Sequence, residues 1–199
     1  MEFDLDADPH YDANGLGRLH REGAPSAIAL SCPCPAEPLY TVDTEKPFAY
    51  SLCSAIRTNG GWRLGAELGC RHEVLAHKTD KDRASATLRC TFDNGRTVTE
   101  HYGVSEDGVS ITVEGDGEIG YAIPAFFFDG ESTPEIIADK GSLTVAYKGW
   151  RCRYTANGTL LDLGKIAANR NGRYRAFLAS AQNTLHLKIE IEKTEGSYS

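Results

Sequence analysis

Eight Asn-Gly or Asp-Gly pairs interrupt this chain of 199 residues: Asn14-Gly15, Asn59-Gly60, Asn94-Gly95, Asp107-Gly108, Asp116-Gly117, Asp129-Gly130, Asn157-Gly158 and Asn171-Gly172. Both residues of such a pair tolerate positive φ, which a two-residue type I′ hairpin turn requires. Between the pairs lie short runs of alternating apolar and polar residues. The spacing predicts strands over residues 25–31, 39–43, 48–57, 61–68, 70–78, 84–92 and 96–104. Further strands are expected over 109–114, 118–128, 142–147, 149–155, 159–163, 173–180 and 184–192. The expected fold class is therefore all-β, an antiparallel β-sandwich of roughly 12–14 short strands. Helix is expected to be scarce, at most a turn or two within 135–139 and 160–168. Residues 1–24 read as an irregular lead-in and 25–199 as a single β-sandwich domain.

Two runs show how the pattern assigns faces. Leu185, Leu187, Ile189 and Ile191 alternate with His186, Lys188, Glu190 and Glu192, giving one core face and one wet face. The stretch from Ala122 to Phe128 is the most apolar, and its Pro124 marks an edge or a bulge.

The formal net charge of −7 comes with no basic stripe, so a nucleic-acid partner is not expected. No run approaches the ~18 apolar residues of a membrane-spanning helix, so no membrane partner is expected. The N-terminus is acidic and has no apolar core of a signal peptide. The chain is then either cytoplasmic or a fragment of a larger exported protein. The six cysteines form no CxxC pair, and Cys90 and Cys152 occupy the apolar faces of alternating strands. Buried free thiols are the expectation.

Asp4-x-Asp6-x-Asp8, followed by Asp12 and Asn14, resembles a calcium loop at first sight. Pro9 stands where an EF-hand needs glycine and Gly15 where it needs glutamate. A solvated acidic lead-in is the better reading, with a looser calcium site as its alternative. No other metal or cofactor is expected.

Candidate binding residues fall in two basic clusters and one aromatic position. Arg18 and Arg21, after Gly15-Leu16-Gly17, have the forked geometry that holds a carboxylate or sulfate. Asn169-Arg170-Asn171-Gly172-Arg173-Tyr174 is the densest polar cluster, a hairpin turn whose Arg170, Arg173 and Tyr174 suit a sugar-contacting lip. Trp62 follows a turn and presents a ring face able to stack on a pyranose, whereas Trp150 shares a face with Cys152 and Tyr154 and reads as core. The candidate acid–base groups are His72, His101 and Tyr102. Histidine and tyrosine are the groups a β-eliminating lyase uses to remove a proton and protonate the leaving oxygen.

Several segments carry a family resemblance: Gly15-Leu16-Gly17-Arg18-Leu19-His20, Pro25 through Ser31, Tyr102-Gly103-Val104-Ser105-Glu106-Asp107-Gly108-Val109, Asn169-Arg170-Asn171-Gly172 and the closing strand 185–192. Together they resemble the C-terminal β-sandwich of heparinase II/III-like polysaccharide lyases, which follows a helical toroid in those enzymes. The resemblance implies a partner helical lyase domain, an active site between the two parts, and a polysaccharide or oligosaccharide ligand of acidic type. It also implies a catalytic tyrosine from the helical part, which this chain lacks, as it lacks the family's His-rich signature. No catalytic residue is carried over. The resulting expectation is a carbohydrate-associated module, not catalytic as an isolated chain. Its alternatives are a stand-alone carbohydrate-active lyase or hydrolase, and a structural or protein-interaction sandwich.

Overall fold

A computed structural model describes residues 2–4, 15–32, 50–67 and 69–194. The strand expected over 39–43 and most of the acidic lead-in lie outside these residues. Thirteen antiparallel strands run through the described chain: β1 (Glu2–Asp4), β2 (Gly15–Arg18), β3 (Ser54–Thr58), β4 (Gly61–Leu64), β5 (Arg71–Thr79), β6 (Ala84–Thr91), β7 (Thr97–Ser105), β8 (Gly108–Phe128), β9 (Glu135–Asp139), β10 (Ser142–Tyr147), β11 (Trp150–Ala156), β12 (Thr159–Asn169) and β13 (Gly172–Lys193). Eleven of them form one continuous sheet, and β1 pairs with β2 apart from it. No α-helix occurs among the described residues.

The sandwich is made by bending this one sheet rather than by stacking two. The residues expected as two strands on either side of Asp116-Gly117 form the single 21-residue β8, and those on either side of Asn183 form the 22-residue β13. The pair slips register between Gln182 and Thr184, whose partners are Glu118 and Glu114. Gly117 (φ 81°) and Asn183 (φ 60°) adopt left-handed backbone there, and the Gly117 N–H donates to Asn183 Oδ1 at 2.8 Å. A bulge of this kind bends the strands and increases their twist. On one side of it the first layer runs β5-β6-β7-β8-β13-β11-β10-β9. On the other, β4-β3 and β12 flank the remaining halves of β8 and β13.

Contacts between the layers show that they face each other. The Tyr102 hydroxyl on β7 lies 3.2 Å from that of Tyr121 on β8, and the Phe126 and Tyr147 rings meet edge to face at 5.0 Å. Leu185, Leu187, Ile189 and Ile191 are buried as the alternation requires. Ile119 through Phe126 are buried on both faces, because a 3-10 turn at Ser26–Ala29 packs on the outer side of β8. Pro124 lies beyond Tyr121, the last β8 residue before it with a partner on β3, at a local edge as its missing N–H demands.

Local expectations fail in instructive places. Residues 26–29, read as strand, form the 3-10 turn. Glu135–Asp139 and 160–168, allowed a little helix, are strands because β10 and β13 supply ladder partners. Within residues 1–24, β1 and β2 form a small ladder and Leu16 is fully buried. The turns also differ in type. Asn59, Asp107 and Asn171 keep negative φ, and the positive φ falls on the glycine that closes each hairpin: Gly61 (119°), Gly108 (120°) and Gly172 (137°). Among the described residues, the one two-residue hairpin loop with positive φ at both positions is Lys148-Gly149, which has no Asx residue at all. Cys32, Cys53, Cys70, Cys90 and Cys152 are free thiols, four of them buried.

Candidate functional site

Alternation along β7 decides the fate of the acid–base candidates, because neighbouring strand residues point to opposite faces. His101 lies on the outer face of the first layer. Its Nδ1 is 3.2 Å from Thr87 Oγ1 and its Nε2 is 3.5 Å from Glu114. Across the sheet the same row continues through Thr112 to His186, whose Nδ1 is 3.0 Å from Thr112 Oγ1. Tyr102 points the other way, into the core, where it is 2% exposed. Its hydroxyl donates to Glu100 Oε2 at 2.8 Å, and burial followed by the Glu100 charge pushes its pKa well above the ordinary phenol range. His72 sits on the edge strand β5 opposite Cys90. His101 and Tyr102 thus lie on opposite sides of one layer, and the three candidates do not converge.

Glu100, missed in the sequence, is a fully buried carboxylate that also accepts the Ser54 N–H at 3.3 Å. Its position is implied by alternation with Val98 and Tyr102, both apolar-facing. Tyr102→Phe is expected to cost about 1–3 kcal/mol by depriving this carboxylate of a donor. Urea unfolding would measure the loss, and unchanged stability would mean that the carboxylate finds another partner.

The binding candidates are dispersed. Trp62 is half-buried with the Arg57 guanidinium 5.6 Å above its ring. Its strand pairs with β3, which meets β8 at Ile119, whereas Arg173 meets β8 at Phe128, roughly 30 Å further along the strand. Arg21 donates to the Glu106 carbonyl at 3.4 Å, at the tip of the β7–β8 hairpin. Tyr174 is fully buried, so its ring is no platform for a sugar; it packs on Phe126 at 5.2 Å.

What remains together is the lip at the β12–β13 hairpin. Asn169 faces Gly172, and its side chain accepts the Asn171 N–H at 2.8 Å, which sets the turn. Its amide also donates to the Ser31 carbonyl at 3.5 Å, and Ser31 follows Leu30, the bridge partner of Arg18. The turn carries Arg170 into solvent and holds the Arg173 guanidinium 5.4 Å over the Phe128 ring. A guanidinium is a group whose fork geometry suits a carboxylate or sulfate.

Two depressions lie elsewhere on the described surface. One of about 580 Å³ crosses the β5–β8 hairpin tips between Lys78, Arg83 and Lys188, with Asp80 and Asp107 in the same lining, so its charge is mixed. The other, of about 420 Å³, opens on the second layer around Arg175, two residues along β13 from Arg173. Among the described residues no group of His, Cys, Asp and Glu is arranged to hold a metal ion. Residues 5–14, with the remaining carboxylates of the acidic lead-in, lie outside the described residues.

Comparison of the coordinates with solved structures gives a clear likeness. A heparinase III structure superposes with a TM-score of 0.50 at 7% identity, covering 62% of this chain and 22% of that one. The fold is shared with a part of heparinase III. A heparan sulfate lyase, HepC from Pedobacter heparinus, gives a TM-score of 0.50 at 10% identity over 64% of this chain and 22% of its own. The matched part of this chain thus spans about a fifth of the length of each of these proteins. No protein-family model and no curated protein matches the sequence. At such identities the heparinase likeness is one of fold alone.

Proposed function

We propose that this chain is a carbohydrate-associated β-sandwich module, the non-catalytic part of, or derived from, a polysaccharide lyase of the heparinase II/III type. The observation that carries this reading is the fold likeness to heparinases over only 22% of their length. Its partner in such a protein would be a helical lyase domain, and its ligand an acidic polysaccharide or oligosaccharide. Arg170 and Arg173 at the hairpin lip provide the charge pairing, with Arg18 on β2. The separation of His72, His101 and Tyr102 supports a contacting role over a catalytic one.

An array of neutral and acidic glycans, probed with the chain at low salt, tests the reading. Uronate-bearing or sulfated glycans are expected to bind and neutral ones not. Added salt is expected to weaken the binding, since exposed charge pairs are screened. Replacing both Arg170 and Arg173 with Gln should lower affinity about tenfold or more, the scale of one or two charge-assisted hydrogen bonds. Absence of binding to every glycan would leave a structural or protein-interaction module as the better account.

A further inference from the structure

The pairing of β13 is disturbed on both sides at one level. Toward β8, Arg173 faces Phe128 while Tyr174 faces Phe126, so Phe127 is an extra residue. Toward β12, Phe177 faces Asp162 while Arg175 faces Ile166, so Leu163, Gly164 and Lys165 bulge outward. Gly164 takes left-handed backbone (φ 64°) and donates its N–H to Asp162 Oδ1 at 2.9 Å, which fixes the bulge. Two bulges flanking one residue spread the neighbouring strands, and the cleft of about 420 Å³ opens over Arg175. That is the size of a small-molecule site.

The cleft is lined by the apolar groups Phe127, Pro134, Ile136 and Ile166 and by two cations, Lys165 and Arg175. Asp162 Oδ2 takes one N–H of Arg175 at 2.6 Å, and the guanidinium lies 5.6 Å over the Phe177 ring. That leaves further donors of its fork for a ligand. Glu135 precedes Ile136 on β9 and so points to the opposite face. The wall at Thr133 and Pro134 is held by the preceding turn. There Asp129 accepts the Glu131 and Ser132 N–H groups at 2.8 and 2.6 Å and the Tyr147 hydroxyl at 2.6 Å.

We propose that this cleft binds a carboxylate carried on a ring with one apolar face. The ring lies against Phe127 and the aliphatic wall, and the carboxylate accepts hydrogen bonds from Arg175 and Lys165. Such a group is found in a uronate residue of a glycan and in a free cyclic acid. The first source rests on the glycan reading; the second does not.

Amide chemical shifts of the ¹⁵N-labelled chain, titrated separately with glucuronate, cyclohexanecarboxylate and glucose, test the site. At least one acid is expected to shift the Gly164 and Arg175 amides, and glucose is expected to leave them unchanged. Arg175→Gln should weaken binding about tenfold or more and Lys165→Gln by less, since the fork makes two bonds where the ammonium makes one. Lys165 lies on an exposed bulge, so its variant keeps the test open if Arg175→Gln fails to fold; unweakened binding by Lys165→Gln would then overturn the site. Response to glucuronate alone assigns the site to a sugar acid, and response to cyclohexanecarboxylate alone to a free acid. Response to both assigns it to the shared chemistry. Shifts elsewhere only, equal response to glucose, or acid binding that survives Arg175→Gln would overturn the proposal. So would silence toward both acids, and a positive glycan array would then preserve the module reading without this cleft.

Discussion

Raising the pH from about 8 to about 11 is expected to unfold this protein cooperatively. Cys32, Cys53, Cys90 and Cys152 are buried thiols, and burial pushes each above the ordinary value near 9.0, Cys152 to about 12. Tyr50, Tyr102, Tyr121, Tyr154 and Tyr174 are buried phenols, raised for the same leading reason above 10.0. A folded-state value above the unfolded one means that stability is intact below the unfolded value. It is then lost as pH rises toward the folded one. Each such group removes ~1.4 kcal/mol per pH unit above its unfolded value. The thiols together remove roughly 5 kcal/mol per unit above pH ~9, and the phenols add to this above pH ~10. Against a typical stability of about 5–15 kcal/mol, that is decisive. Far-ultraviolet circular dichroism and phenolate absorbance should change together in one transition. Phenols that titrate gradually while the strand signal persists would show that these groups reach water without unfolding.

Gly172→Ala is expected to cost much of the stability. Its φ of 137° is a conformation that L side chains rarely adopt, and an added Cβ would lie 2.0 Å from the Phe128 carbonyl oxygen. That oxygen is backbone in a paired strand, so relief requires the β12–β13 hairpin to move away from β8. Strain and overpacking together are expected to cost about 3–5 kcal/mol. Gly130→Ala is the control, since its φ of 104° is also strained but no atom lies within 4 Å of the new Cβ. Its cost should stay near ~1–2 kcal/mol. Denaturant midpoints of the two variants would compare them, and equal losses would mean that the contact with Phe128 contributes nothing.

The face of a strand is legible where alternation is regular, because period-two alternation survives any turn type. Leu185, Leu187, Ile189 and Ile191 are buried as their alternation predicts. Strand length was not legible. Asp116-Gly117 carries the same local signal as Asn59-Gly60, yet the first is a bulge within β8 and the second a hairpin loop. The difference lies in Asn183, which receives the Gly117 N–H from a strand 66 residues away. Glu135–Asp139 was equally ambiguous, since two adjacent isoleucines show neither period clearly and pairing with β10 decides. The fold resemblance was legible from texture alone, and the coordinates bear it out at the level of fold.

The hairpin lip was visible because Asn, Gly and Arg cluster in sequence there. Tyr174 was misplaced within it because one residue along a strand reverses the face, and Tyr174 faces Phe126. Arg175 carries no such local signal, because its cleft comes from register slips in two neighbouring strands. Only Gly164 within β12 and the run Phe126-Phe127-Phe128 hinted at bulges.

The sharing of β8 and β13 between both layers has a consequence for how the chain is made. Every partner of Gly172–Lys193, namely β8, β11 and β12, is translated before it. Until that segment leaves the ribosome, neither layer can close, and long apolar strand edges wait unpaired. A nascent chain in this state presents the template for edge-to-edge association. Yield in a cell should therefore depend on how quickly the stretch from 129 to 193 is synthesised and on what shields β8 meanwhile.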